Sequence, residues 1–567
     1  MNSNLSFIEE ILSQLQASAD TRILAEIRDA KITGVTGGEL LDLIRKARTF
    51  IASRDLKKGS RCGLLAANGI RWVALDLALM AEGLIVVPLY SRQAPAELVA
   101  MMRDSTPSLV CCGDAVLRDG IAEAWIAQEW IDAACTDAPP QVMFDEIFTG
   151  IDGVQLMPPQ VKKDDPVTII YTSGTSGEAK GVVLTAANVG FMLDRTADRL
   201  SQLMAGASSG SIEQDRIFHY LPFTFAASWI ALLTFLKRRS LVTINMDLTK
   251  IASDMRTVAP DYFLNVPQLL ERMRRAVDEQ LWQTGGVVQA VYSRAKAAWM
   301  RKQEKQAKVG DAIWLGLANA FVFPSIRKKM LGENLKALIC GSAPLTPETQ
   351  LYFMMLGIRV LQVYGLTETT AICTMDDPSR VEIGRVGPAV PGMEMKLAEN
   401  DEIVVRGPNI FPGYWNRPEQ TAEALRDGWF HTGDQGEVNA DGNWRIAGRI
   451  KNLIVLGSGH KISPEPLESA IAKLLPEAQQ VVMVGNGRGY LSAIVTGSVA
   501  SERVQATLDA VNPELPHYKQ VRAFIVHGEA FSIENGLLTV NGKLKRDTIS
   551  ARMKDEIERM YRVKQAV

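Results

Sequence analysis

The sequence predicts an α/β protein: a large N-terminal body of layered sheets and helices, a β-rich region within it resembling a small barrel, and a small α+β C-terminal lid domain. Three observations predict it. From about residue 60 to 280, apolar β-branched runs alternate with segments whose apolar residues recur every three or four positions, the rhythm of strands layered with helices. From 384 to 448 short strands stand between Gly, Pro, Asn and Asp turns. After Arg449 a compact mixture of strands and helices takes over. At 567 residues the chain is also too long for one core, so two or more domains are expected.

In order, 62–66, 84–89 and 108–112 read as buried strands, with helices at 75–82 and 95–104. The rhythm returns with strand 167–171, helix 188–200, strand 239–244 and helix 266–279. The β-rich region contributes strands 394–397, 402–406, 436–438 and 444–446, with Ala440-Asp-Gly442 as a turn. The C-terminal part reads as helix 465–474, strands 480–485 and 491–495, helix 501–511 and strand 522–526. The boundary falls at Ile450 and Lys451, giving domains 1–450 and 451–567.

A net charge of −2 supplies no basic balance, which argues against nucleic acid as a bulk partner. Six cysteines without CxxC or Cys/His spacing argue against a zinc site or a disulfide framework. Reduced cysteines suit a cytoplasmic enzyme. The N-terminus lacks the basic start and apolar run of a signal peptide. The charge-free stretches 220–236 and 312–326 fall short of the roughly 18–20 residues that span a bilayer.

The most informative segment is Tyr171-Thr-Ser-Gly-Thr-Ser-Gly-Glu-Ala-Lys-Gly181, directly after the strand-like Val167-Thr-Ile-Ile170. Its three glycines let backbone N–H groups turn toward an anion, four Ser/Thr hydroxyls add donors, and Lys180 adds a full charge. That is the chemistry of a polyphosphate cradle. It is not the Walker spacing, because Ala179 precedes the lysine and no Ser/Thr follows it.

This loop is followed, in order, by Gln362-Val-Tyr-Gly-Leu-Thr-Glu-Thr369, Gly428-Trp-Phe-His-Thr-Gly-Asp434, Gly448-Arg-Ile-Lys451 and Asn541-Gly-Lys543. The set resembles the adenylate-forming (AMP-binding) superfamily, from about residue 35 to the C-terminus. Pro260-Asp-Tyr-Phe-Leu-Asn-Val-Pro-Gln268, Cys340-Gly-Ser-Ala-Pro-Leu345 and Asn535-Gly-Leu-Leu-Thr539 make it most similar to the long-chain fatty acyl-CoA synthetases.

The resemblance implies an ATP- and Mg²⁺-dependent ligase that forms an acyl-adenylate and then a CoA thioester of a medium- or long-chain fatty acid. It places Thr172, Ser173, Gly174, Thr175, Ser176 and Gly177 around the β- and γ-phosphates with Lys180 as counter-charge, and Glu368 and Thr172 at the metal. Gly341, Ser342, Ala343 and Pro344 would form the adenine wall and Tyr364 would stack on the base, with Gln362, Gly365 and Thr367 in the same nucleotide motif. Asp434 and Arg449 would hold the ribose. Lys543 would bridge the substrate carboxylate and the α-phosphate, where charge builds. Lys451 would be the hinge of a mobile C-terminal domain. Gly457, Ser458 and Gly459 would open the slot for the pantetheine arm in a second pose.

Two departures touch the acid side. Ala186 replaces a usual His after Thr185, and Phe225 takes a place often held by His. Phe223, Phe225, Trp229 and Val266 are the candidate apolar wall for the acid. Val540-Asn-Gly542 before Lys543 resembles the short-chain and aryl-acid ligases instead. Residues 294–308 hold six basic residues and one acidic, ahead of the apolar stretch and Arg327-Lys-Lys329. Span 294–329 is open to two readings, a solvated helical excursion or a peripheral contact with anionic lipid. Loading of a carrier protein by an acyl- or aryl-acid adenylating enzyme is an alternative. A non-catalytic nucleotide-binding relative is another. Oligomeric state is left open.

Overall fold

The computed structural model describes residues 5–127, 137–149, 158–173, 179–205, 214–332, 334–532, 534–539 and 542–562. Two sheets dominate the body. One runs Gln141–Met143, Leu109–Cys112, Arg61–Ala66, Ile85–Tyr90, Pro166–Ser173, Ala179–Thr185, parallel except for its last pair. The other, eight-stranded, carries Arg359–Tyr364, Ala337–Cys340, Tyr262–Asn265, Arg216–His219, Leu241–Asn245 and Arg22–Arg28 in parallel, with antiparallel edge strands Thr374–Met375 and Lys31–Thr36.

Parallel strands need both faces covered, and their sequences are accordingly apolar throughout. Helix Ala226–Lys237 is buried on nearly every side. From Ala226 on, the apolar stretch 220–236 is therefore a core helix. The β-rich region forms an antiparallel sheet of Glu394–Leu397, Glu402–Arg406, Trp429–Val438, Leu425–Arg426 and Trp444–Arg449. The C-terminal domain packs helices against Gln480–Val484, Leu491–Thr496 and Val521–His527.

One strand is longer than expected: strand Trp429–Val438 takes in most of the 428–434 motif ahead of the expected 436–438, and its alternating burial follows the two-residue strand period. The hairpin Arg22–Arg28/Lys31–Thr36 has no clear signal in the sequence. Its turn residues Asp29 and Ala30 both take positive φ, 50° and 60°, a conformation usually announced by Asn-Gly.

Asp76 is 1% exposed within the body's main core, where its Oδ2 accepts a 2.8 Å hydrogen bond from Trp229 Nε1. Burial pushes its carboxyl up to about 7. The folded state therefore holds this proton more tightly than the unfolded chain, and the stability it contributes is lost as pH rises toward 7. Between pH 5 and 8 the loss is about 2–3 kcal/mol. Asp76→Asn keeps an acceptor for Trp229 without the titration. Thermal midpoints at pH 5 and pH 8 should diverge less in Asp76→Asn than in the wild type; equal divergence would refute the assignment.

Candidate active site

The site is built at the carboxyl ends of adjacent parallel strands, where α/β sheets commonly bind ligands. Strands Ala337–Cys340 and Arg359–Tyr364 pair in register and release loops 341–344 and 365–369 side by side. Both loops begin at glycines that admit no side chain. A Cβ on Gly341 would lie 2.7 Å from Val363 Cγ2, and one on Gly365 2.2 Å from the Ala371 oxygen. Ser342, Thr370 and Ala371 hold positive φ of 71°, 50° and 85°, which costs energy in residues with a Cβ. The strain beside Glu368 is locked by buried Asn409. Its Nδ2 donates to the Thr369 oxygen at 2.9 Å and the Ile372 oxygen at 3.3 Å, while Thr370 Oγ1 donates to the Asn409 oxygen at 2.7 Å.

A charged cluster faces these loops. Asp434 and Arg449 are cross-strand partners, and Arg449 Nε lies 2.7 Å from Asp434 Oδ1. Tyr364 Oη donates to Asp434 Oδ2 at 2.7 Å. Asp434 is 3% exposed, and burial raises its carboxyl while Arg449 opposes the rise. Burial and Asp434 together push the Tyr364 phenol far up, so it stays a donor.

A second string of contacts links Lys180 to Glu368. Tyr414 Oη donates to Glu368 Oε1 at 2.9 Å, and Lys180 Nζ sits 5.2 Å from the centre of the same ring, a cation–π distance. Lys180 pairs across the hairpin with Thr172. Ser173 ends the strand, and Gly174, Thr175, Ser176 and Gly177 lie outside the described residues.

The C-terminal domain closes over this cluster. Ser463 Oγ donates to Gln435 Oε1 at 2.8 Å, Lys461 Nζ to Asn400 Oδ1 at 2.8 Å, and Lys473 pairs with Glu348. Gly542 lies against Gln268 of the body. Lys543 therefore faces Arg449, Asp434 and Glu368. Its ammonium is drawn down by desolvation and by Arg449, against the pull of the two carboxylates. Lys451 falls to about 8, through desolvation of its charged end and then Arg449, with Lys180 adding to the effect.

Several expected residues stand elsewhere. The Gln362 side chain is turned into the body; it is 5% exposed, and its Nε2 donates at 3.0 Å to both Gln350 Oε1 and the Arg385 oxygen. Phe223 and Trp229 are core residues and not a pocket wall. Phe223 is fully buried between Trp72 and His219, and Trp229 is tied to Asp76. Phe225 leans on Tyr90, while Val266 belongs to a separate apolar cluster. Gly457, Ser458 and Gly459 form an exposed turn, so the closed arrangement does not bring them to the cluster. Thr367, Ala343 and Pro344 lie in the two site loops, Ala343 and Pro344 exposed.

Sequence reasoning missed Tyr414, Asn409 and an apolar cavity of about 50 Å³. The cavity lies between helices Ala186–Ala205 and Ala226–Lys237 and the eight-stranded sheet. Ala227, Ala231, Phe235, Ile339, Val363 and Ile372 are among its lining residues. The signal lay in alternation: Leu361 and Val363 point to one face of their strand, toward this space.

With the geometry in hand, likeness to known proteins is informative. The AMP-binding enzyme family matches residues 14–415, and the AMP-binding enzyme C-terminal domain matches 451–565. The chain belongs to the AMP-binding enzyme family. It is 25% identical over 578 residues to long-chain-fatty-acid–CoA ligase FadD15 of Mycobacterium tuberculosis, covering 96% of this chain and 94% of that one. Its fold matches the A domain of a carboxylic acid reductase from Segniliparus rugosus with a TM-score of 0.74 at 21% identity, covering 99% and 95% of the two chains. It also matches O-succinylbenzoate coenzyme A synthetase of Bacillus subtilis with a TM-score of 0.72 at 19% identity, covering 95% and 97%.

The depressed Lys451 gives a measurable consequence. A bound polyphosphate favours the charged ammonium, so its binding near pH 8.5 should draw in up to about one proton. Calorimetry of ATP binding in buffers of different ionisation enthalpy reads that uptake. Lys451→Met should remove most of it, and undiminished uptake would exclude Lys451 as the source.

Proposed function

We propose that the chain is an ATP- and Mg²⁺-dependent acid–CoA ligase acting on a medium- or long-chain fatty acid. The observation that carries this reading is the meeting of Lys543, Arg449, Asp434 and Glu368 in one cleft beside a mainly apolar cavity, with Thr196, Arg199 and Asp376 also in its lining. The mycobacterial relative named as a long-chain-fatty-acid–CoA ligase supports the substrate class.

A carboxylate has no good leaving group, so it must be activated before a thiol can displace it. On this reading a carboxylate oxygen attacks the α-phosphorus, the bond to the β-phosphate breaks, and pyrophosphate leaves. The thiol of CoA then attacks the acyl carbon, and AMP departs. The first step depends on positioning and charge neutralisation more than on covalent help from the protein. Lys180 and Lys451 would neutralise the polyphosphate, Lys543 the charge that builds at the α-phosphate, and Asp434 with Arg449 and Tyr364 would orient the ribose.

Among the described residues no group of three or more His, Cys, Asp or Glu could cage a metal. Glu368 alone, helped by Thr172, fits an ion held mostly by phosphate oxygens and water, as Mg²⁺ prefers. When bound, that ion supplies further neutralisation of the phosphates.

The cavity holds only a few water-sized groups, so a long acyl chain would have to part the two helices that flank it.

Two experiments test the reading. A pyrophosphate-release screen across fatty acids of graded length and benzoates should favour aliphatic acids of medium or long chain; silence across the whole panel would refute it. Lys543→Ala should slow adenylate formation about 10²–10³-fold, as loss of a charge-stabilising donor does, yet still convert supplied acyl-adenylate and CoA to thioester. Equal loss in both half-reactions would remove Lys543 from that role. In the same assay Ala231→Phe, which fills the cavity, should cost long acids about tenfold in kcat/KM relative to short ones.

A further inference from the structure

Residues 281–331 form a helical excursion from the body: helix Gly286–Gln303, helix Asp311–Leu317, a π-helical turn Ala318–Val322 and helix Phe323–Leu331. Its inner side is firmly held. Tyr292, Ala295, Ala298 and Phe323 are buried, Tyr292 Oη donates to Asp278 Oδ1, and Arg301 pairs with Asp311.

The outer side is apolar. Ile313, Leu317 and Phe321 recur at every fourth position, which aligns them along one helix face, and they are 65%, 39% and 76% exposed. Val309, just ahead of them, is 99% exposed. Trp282, Val287 and Val288 bring the total between 282 and 321 to seven of the fourteen exposed large apolar side chains among the described residues. Singly exposed apolar residues are ordinary; half of them gathered in one segment mark an interaction surface.

Charge narrows the occupant. Residues 281–331 carry nine Lys and Arg against two Asp and Glu, a net +7 within a chain of net −2. The remainder of the molecule is thus at −9. Lys302, Lys305, Lys308 and Lys329 are exposed around the apolar row, and one of the two acids, Asp311, is already paired with Arg301. A second copy of the chain is a poor fit, because a two-fold interface sets this patch against itself and faces cation to cation. An anionic bilayer fits both properties at once: apolar side chains enter the headgroup boundary while lysines meet lipid phosphates. No helix among the described residues is long and apolar enough to cross a membrane, so the contact would be interfacial.

We propose that the face formed by Val309, Ile313, Leu317 and Phe321, rimmed by Lys302, Lys305, Lys308 and Lys329, rests the protein on an anionic lipid surface.

Co-sedimentation of the full chain with sucrose-loaded vesicles tests this without acid, ATP or CoA, so its failure would leave the ligase reading untouched. Wild type should pellet with phosphatidylglycerol–phosphatidylcholine vesicles, far less with pure phosphatidylcholine, and less as salt rises. Ile313→Glu/Phe321→Glu should lower the bound fraction about tenfold or more. Lys302→Gln/Lys305→Gln/Lys308→Gln should lower it similarly and flatten the salt dependence. Val309→Ser, at an almost fully exposed position, serves as a milder third variant, and thermal midpoints matching the wild type establish that all three fold. Wild type left in the supernatant with every vesicle, or variants that pellet as well as wild type, would overturn the proposal. So would a wild-type self-association, seen by sedimentation velocity, that Ile313→Glu/Phe321→Glu abolishes in the absence of vesicle binding, since the face would then be a protein contact.

Discussion

Crowding of like charge around one buried carboxylate organises this molecule. Asp434 is nearly inaccessible, and Arg449, Lys543 and Lys451 all act on it. One carboxylate cannot satisfy three cations, and Glu368 offsets only part of the excess. Both lysines are depressed, by loss of hydration first and by Arg449 second, against the pull of Asp434. A closed arrangement that holds surplus positive charge in a desolvated cleft is stabilised by any polyanion that enters it.

That constraint explains why the strained backbone lies where it does. Thr370 and Ala371 take positive φ immediately after Glu368, and Asn409 holds both ends of the bend through three hydrogen bonds. Without such anchoring the segment would relax and carry Glu368 away from Lys180 and Tyr414. Asn188 extends the bracing, its Nδ2 donating to the Pro408 and Ile410 oxygens from the start of helix Ala186–Ala205. One helix thus connects the Pro166–Ser173/Ala179–Thr185 hairpin, the Glu368 bend and the apolar cavity.

What was legible in the sequence follows the range of the interactions involved. Helix 501–511 and strands 394–397 and 402–406 were read to the residue, because local periodicity decides such elements. The candidate residues Asp434, Arg449 and Lys543 are legible as short runs of suggestive composition, and the fold brings the three side chains together. The acid-side wall was not. Phe223 and Trp229 have the composition of a pocket lining, yet a buried Asp76, contributed from about 150 positions away, claims the indole of Trp229. No local pattern announces a partner that distant. Tyr414 escaped for the same reason, because its value lies in bridging Glu368 and Lys180 across the tertiary structure.

The cavity and the cluster also constrain each other. Val363 and Ile372 line the cavity, while Tyr364 and Cys373, their immediate neighbours, face the charged side. At Val363 and Tyr364, alternation along the strand puts hydrocarbon on one face and charge on the other within a single residue step. An acid seated with its chain among Val363 and Ile372 would present its carboxylate next to Tyr364 and Asp434 without any need for a long rigid guide. A shift of register by one residue would exchange the two faces and destroy both environments together. The paired positions Ala337–Cys340 with Arg359–Gln362, fixed by the parallel ladder, are what prevent it.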